Sequence, residues 1–311
     1  MPSKPRRNLR TSLLPRLAGL TRLTPTPLLL ALRSPLAAAI AAKPGWRAQV
    51  RRGMAAALGP DGYEERHVRD YFRHLADLAA FTAAVYRSGV RGAGLEGQWV
   101  HDEVSKGLYQ ELLAGGKGLV MVCPHLIGHE IMVGTAPQEV PVTVLVRKSP
   151  DPEYEAIKQH WYRSLGVEVA YRPQKGSQLQ GLAEMTTALR VLRKNRVLGI
   201  TPDLVQKPGT GVPVTLFGRT VDLPAGAFFL AARTGAPLLP TFFHKEGDRY
   251  RLWAHPALYG DRSTDRDAAV AGLAQRWATL FEEFVREHPD MWQFWLDKRW
   301  FKWLTAPAPG E

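Results

Sequence analysis

The residues from Gly118 to Gly134 read Gly-Leu-Val-Met-Val-Cys-Pro-His-Leu-Ile-Gly-His-Glu-Ile-Met-Val-Gly. Val120 and Val122 belong to a short apolar run that fits a buried strand, Pro124 stops it, and His125 follows at once with Glu130 five positions on. Imidazole is the side chain that exchanges a proton near neutral pH, and a carboxylate on one ring nitrogen fixes the tautomer so that the other can act as a base. A helix that began at His125 would carry Glu130 round just over one turn, close enough to serve as that carboxylate. No serine stands nearby, and Cys123 lies on the strand before Pro124. A base with an orienting acid and no nucleophile argues for direct group transfer without a covalent intermediate. His125 and His129 are also four apart, but position 133 is Val, so the His-Glu-x-x-His zinc pattern fails and no metal is expected.

The elements that must position this pair follow from spacing. From Gly94 onward, apolar strand patterns alternate with helical ones: strands at 95–100, 119–123, 142–146, 167–171, 197–201, 238–243 and 250–253, helices at 102–113, 152–165, 179–193, 225–233 and 268–287. Such alternation predicts an α/β fold, a mostly parallel mixed sheet flanked by helices, with ligands bound beyond the strands' carboxyl ends. His125, Arg147, Arg172 and Asp203 all fall at such ends. Arg147, Lys148, Arg172 and Lys175 are placed to hold phosphate, an Arg fork being the better fit; the plain alternative for each is a solvated loop cation. Asp203, after Pro202, either orients a substrate or partner, or caps a turn. Ahead of the alternating region, 45–58 and 61–87 read as two amphipathic helices forming a hairpin.

The ordered set of motifs resembles the glycerolipid (lysophospholipid) acyltransferase superfamily. His125-x4-Glu130 after an apolar strand matches its His-x4-Asp/Glu signature. Pro202-Asp203, Phe217-Gly218, Pro224-Ala-Gly226, the run from Leu230 to Pro240 and the Trp-rich block from Pro289 to Trp300 resemble the branch containing the late acyltransferases of lipid A and the phosphatidylinositol mannoside acyltransferases. The resemblance covers roughly 45–303. It implies transfer of a fatty acyl group from acyl-CoA or acyl carrier protein, as co-substrate with no other cofactor, to a hydroxyl of a lipid or glycolipid. His125 is then the general base, Glu130 its orienting partner, and Arg147, Asp203 and Arg172 bind substrate. It also implies membrane lipids and the thioester donor as partners, at the cytoplasmic face of the inner membrane. Two other readings share these residues: a lipid or thioester hydrolase in which the dyad activates water, and a non-catalytic membrane-binding protein.

The charge is unevenly placed. Residues 1–60 hold eleven Lys and Arg and no acid, while the remaining residues carry thirty basic against twenty-nine acidic side chains. The basicity belongs to an arm at 1–44, followed by an acyltransferase-like domain at 45–303 (helical hairpin to 90, α/β core beyond) and a tail at 304–311. Trp46 is the only aromatic residue of residues 1–60, which argues against nucleic acid. Leu13, Leu14, Leu17, Leu20, Leu23 and Leu28–Leu30 alternate with cations, which suits an anionic bilayer surface, and prolines 15, 25, 27 and 35 would interrupt a longer amphipathic helix. The longest apolar stretch, Pro27–Ala42, contains Arg33 and Pro35 and falls short of the ~20 residues a span requires, so a peripheral or weakly anchored arm is expected. A single cysteine excludes an internal disulfide.

Overall fold

The computed structural model describes residues 9–135, 140–172, 180–261 and 263–307. The arm is helical: α1 (Leu9–Leu23), α2 (Thr26–Ala31) and α3 (Arg33–Ala41). Pro25 precedes α2 and Pro27 and Pro35 stand in first turns, where a missing N–H costs no hydrogen bond; Pro15 instead lies inside α1. Two further helices follow, α4 (Trp46–Leu58) and α5 (Glu65–Gly92). The two do not simply pack on each other as a hairpin. α5 lies mainly against α3, the helix at Pro152–Leu165 and α2, whereas α4 meets the C-terminal segment: a Cβ at Gly53 would stand 3.3 Å from the Trp295 ring, and Gln49 Nε2 donates to the Trp295 carbonyl at 3.3 Å.

From Trp99 onward the expected alternation appears: β1 (Trp99–His101), α6 (Glu103–Ala114), β2 (Leu119–Val122), α7 (His129–Gly134), β3 (Val142–Arg147), α8 (Pro152–Leu165), β4 (Glu168–Arg172), α9 (Gln180–Arg193) and β5 (Val197–Ile200). Then come β6 (Val212–Leu216), β7 (Arg219–Leu223), α10 (Gly226–Thr234), β8 (Leu238–Glu246), β9 (Arg249–Ala254), α11 (Arg266–Glu287), two 3-10 turns and α12 (Lys298–Leu304). The helix starts are capped as their sequences dictate: the carboxylates of Asp102, Asp151, Asp265 and Asp297 each accept from backbone N–H groups of the first turn.

Seven strands form one sheet in the order β1-β9-β8-β2-β5-β3-β4, parallel throughout except for the β8–β9 hairpin. The fold is therefore the mostly parallel α/β sheet the alternation predicts. β2 and β5, far apart in sequence, are neighbours in the middle of it, paired from Leu119↔Val197 to Val122↔Ile200. The spacing places no strand between 201 and 225, yet β6 and β7 form a separate hairpin there. Phe217 and Gly218 turn it, with φ of 50° and 71°, the left-handed pair that a two-residue hairpin loop requires. The core is aromatic-rich: Trp277, Trp292, Trp295 and Trp300 are all essentially without solvent contact. The C-terminal tryptophans, which sequence alone offers equally to a bilayer interface or a buried helix, thus go mostly inward.

Candidate active site

His125 lies just beyond the carboxyl end of β2 and Asp203 just beyond that of β5. Because these strands are adjacent and parallel, the two residues meet. His125 Nδ1 lies 2.6 Å from Asp203 Oδ1, and the His125 backbone N–H donates to Oδ2 at 2.9 Å. Asp203 has no solvent exposure, and its remaining donor is an indole: Trp292 Nε1 reaches Oδ2 at 3.1 Å. Trp300 Nε1 donates to the Asp203 carbonyl oxygen at 2.9 Å, so two tryptophans of the C-terminal block fix this residue. Burial alone would push the Asp203 carboxyl up, but the charge of His125 and the donors converging on it from His125 and Trp292 hold it below the usual carboxylate range. An ionised Asp203 can only accept, so Nδ1 carries a proton, and in the neutral imidazole Nε2 then offers a lone pair. Thr201 Oγ1 stands 3.3 Å from Nε2, to which its hydroxyl donates when the ring is neutral. The Phe294 ring lies over the imidazole, 4.4 Å between centroids, and Gln293 N–H holds the His125 carbonyl at 2.9 Å.

Glu130 is not the partner of His125. Its carboxylate accepts from Trp161 Nε1 at 2.9 Å and from the Tyr162 hydroxyl at 3.4 Å, both on α8. A helix that began at His125 would bring the two together, but the chain forms none there. Residues 124–128 form a loop in which Leu126 bridges to Trp292, Gly128 takes a φ of 101°, and α7 begins only at His129. That shift turns Glu130 away from the imidazole and toward α8. Glycine is needed at 128 for its φ, and the Trp99 ring, 3.3 Å from where a Cβ would be, closes the site to a side chain.

His129 donates from Nδ1 to the Leu126 carbonyl at 3.0 Å and meets His125 edge to face, 5.0 Å between centroids; burial, then the neighbouring His125, lowers its pKa. Among the described residues no group of three or more His, Cys, Asp or Glu converges as metal ligands would. Cys123 is buried, and burial pushes its thiol well above the ordinary value, so it is a poor nucleophile.

A cavity of about 730 Å³ opens beside the pair. His125 is not itself among the lining residues, but His129 and Thr201, both in contact with it, are, together with Arg147, Glu130, Glu184 and Arg299 and apolar side chains such as Met132, Val144, Leu165 and Leu230. Arg147 lines the same cavity: its guanidinium lies 3.5 Å from Glu184, while its Nε is buried without a hydrogen-bond partner among the described residues. Arg172 closes β4 in register with Arg147, and its side chain lies outside the described residues, as does Lys175. Lys148 is exposed. Thr201, Trp292, Phe294 and Trp300 are absent from the candidates that sequence yields. The only signal for the last three is the density of aromatic residues in the final block, which does not say what those residues face.

Two comparisons bear on what such a site belongs to. A phosphatidylinositol mannoside acyltransferase of Mycobacterium tuberculosis (strain ATCC 25618 / H37Rv) is 29% identical over 283 residues, 87% of this chain and 82% of that protein. The phosphatidylinositol mannoside acyltransferase of Mycolicibacterium smegmatis (strain ATCC 700084 / mc(2)155) is 28% identical over 275 residues, 85% of this chain and 83% of that protein. The family model described as bacterial lipid A biosynthesis acyltransferase matches residues 7–302, nearly the whole chain and every element that builds the site. With a fold, an ordered motif set and a model match that agree, the chain belongs to the bacterial lipid A biosynthesis acyltransferase family, a family of O-acyltransferases of lipid and glycolipid biosynthesis.

Proposed function

We propose that the protein is a membrane-associated enzyme that moves a fatty acyl group from acyl-CoA or acyl carrier protein to a hydroxyl of a lipid or glycolipid. Phosphatidylinositol mannosides, the substrates in its relatives' names, are the first acceptors to try. The observation that carries the reading is a histidine held by the buried Asp203 through Nδ1, whose neighbours His129 and Thr201 line a cavity with many apolar side chains. The acceptor hydroxyl takes the position from which Thr201 now donates to Nε2. His125 removes its proton as the oxygen attacks the thioester carbonyl; the C–O bond forms, the C–S bond breaks, and the departing thiolate takes up the proton from the imidazolium. Asp203 holds the Nδ1 proton and stabilises the imidazolium while it exists. In this reading Asp203 has the orienting role that the His-x4-Glu spacing gives to Glu130, and Glu130 ties α7 to α8 at the rim. Arg147 and Arg299 supply positive charge there for the phosphates of the donor or the acceptor headgroup.

Membrane association is supported by the arm. Leu17, Leu20, Leu23, Leu28 and Leu32 are all more than half exposed, among Arg16, Arg22 and Arg33. Among the described residues no single helix is long and apolar enough to cross a bilayer; Arg16–Leu23 and Thr26–Ala41 reach that length only as a pair bent by 116°.

The test is mass spectrometry of lipids from cells lacking the gene, complemented with the unaltered gene or with His125→Ala. One lipid species gaining a single acyl mass only with the unaltered protein supports the reading. Equal complementation by His125→Ala would sink it. Loss of thioester without an acylated lipid would move the chemistry to hydrolysis.

A further inference from the structure

The cavity draws its lining from both faces of the sheet. β3 pairs with β5 only from Val142↔Val197 to Val144↔Gly199, while it stays paired with β4 as far as Arg147↔Arg172 and β5 stays paired with β2 to Ile200. Beyond Gly199 the two strands part, and the sheet has a notch at its carboxyl edge. Burial changes at the same place: Val142, Thr143, Val197 and Leu198 are buried, whereas Val144–Arg147, Gly199 and Ile200 are half-buried. The cavity's lining includes Met132 and Leu165 from α7 and α8, but also Ala188 and Leu230 from α9 and α10, so it draws on the helices of both faces. Gly199 and Val144 form the foot of the notch.

Nothing structural requires glycine at 199. Its φ is outside the left-handed region, and a Cβ there would make ordinary contacts of 3.6 Å to Val144, 3.7 Å to Met121 and 3.8 Å to Val142. Glycine within a strand is less stable than alanine and commonly marks a close approach of something else. Here two of the residues a side chain would meet, Met121 and Val144, line the cavity with Gly199 itself. We infer that Gly199 sets how far a fatty acyl chain can pass through the sheet, and so which acyl lengths the enzyme transfers. This rests on the proposed reading, in which the cavity receives the acyl chain of the donor. The thioester lies by Thr201, two residues or about 7 Å along β5 from the notch. A short chain ends before the crossing, and a longer one must use it.

The experiment compares kcat/KM of the full-length enzyme for lauroyl-, myristoyl-, palmitoyl- and stearoyl-CoA with one glycolipid acceptor, for unaltered protein and Gly199→Ala, Gly199→Val and Gly199→Leu. Going from Ala to Leu, the palmitoyl-to-lauroyl ratio is expected to fall by about tenfold or more, with lauroyl transfer retained. Met121→Ala, placed in the Gly199→Leu background, is expected to restore part of the palmitoyl rate, since it empties the space beside the new side chain; general damage to the fold would not be repaired in this way. Gly199→Ala is expected to melt no lower than the unaltered protein, so at least one active variant carries the comparison. An unchanged length profile in the active variants would overturn the inference. No transfer by the unaltered enzyme from any of the four chain lengths, offered both as acyl-CoA and as acyl carrier protein thioester, would overturn the acyl reading of the cavity, and this inference with it.

Discussion

Both oxygens of Asp203 are held by N–H donors, so its charge is stabilised by fixed geometry rather than by bulk water. Asp203→Asn keeps the shape but sets an amide against those donors; turnover should fall about 10²- to 10⁴-fold, with the KM for the thioester little changed. Glu130→Gln keeps an acceptor for Trp161 and Tyr162, and activity should stay within about tenfold of normal; a loss as large as that of Asp203→Asn would return the orienting role to Glu130. The depressed Asp203 pKa also predicts a pH effect. A carboxyl whose folded pKa lies below the unfolded value of about 3.9 contributes stability in full above that value, and the contribution is lost as pH falls through the lower, folded one. The unaltered protein should therefore lose stability more steeply below about pH 4 than Asp203→Asn does. Equal acid slopes in fluorescence-monitored urea titrations would show that Asp203 is not the ionised partner. At this scale the sequence is half legible. The strand, the proline and the histidine mark His125 as a base. Its partner sits 78 residues away and is reached only because β2 and β5 are adjacent, which no local spacing reveals.

At the scale of elements, helix and strand positions follow their apolar periods closely, because each burial face is written locally. What escapes is every feature set by a neighbour: the order of the strands, the turn at Phe217-Gly218, the loop that delays α7, and the face against which α4 packs. That last contact gives a direct test. Gly53→Val adds an isopropyl group against a fully buried Trp295, whose ring stands 3.3 Å from the new Cβ. The substitution should cost about 1–3 kcal/mol, read as a lower urea midpoint at unchanged slope. Trp292→Phe preserves most of the packing but removes a donor from a buried carboxylate; a cost of about 1–3 kcal/mol is expected, together with reduced turnover. If Trp292→Phe lost stability without losing activity, the indole would serve packing alone.

At the scale of the molecule, the charge asymmetry of the sequence becomes a basic helical arm on a nearly neutral body. Flotation with vesicles should show binding that increases with anionic lipid and weakens with salt, and that drops when Leu17, Leu20 and Leu23 are changed together to Ser. Binding that is indifferent to both lipid charge and the three leucines would assign the arm another purpose. The two indoles on Asp203 have a consequence in time as well as in space. During synthesis, His125 and Asp203 are both available long before Trp292 and Trp300, which are 89 and 97 residues further on than Asp203. At ribosomal rates that interval is roughly 5 to 20 s. Throughout it the nascent chain holds His125 and Asp203 but not the tryptophans that fix Asp203, so on the proposed reading acyl transfer is expected only after the closing aromatic block has emerged and docked.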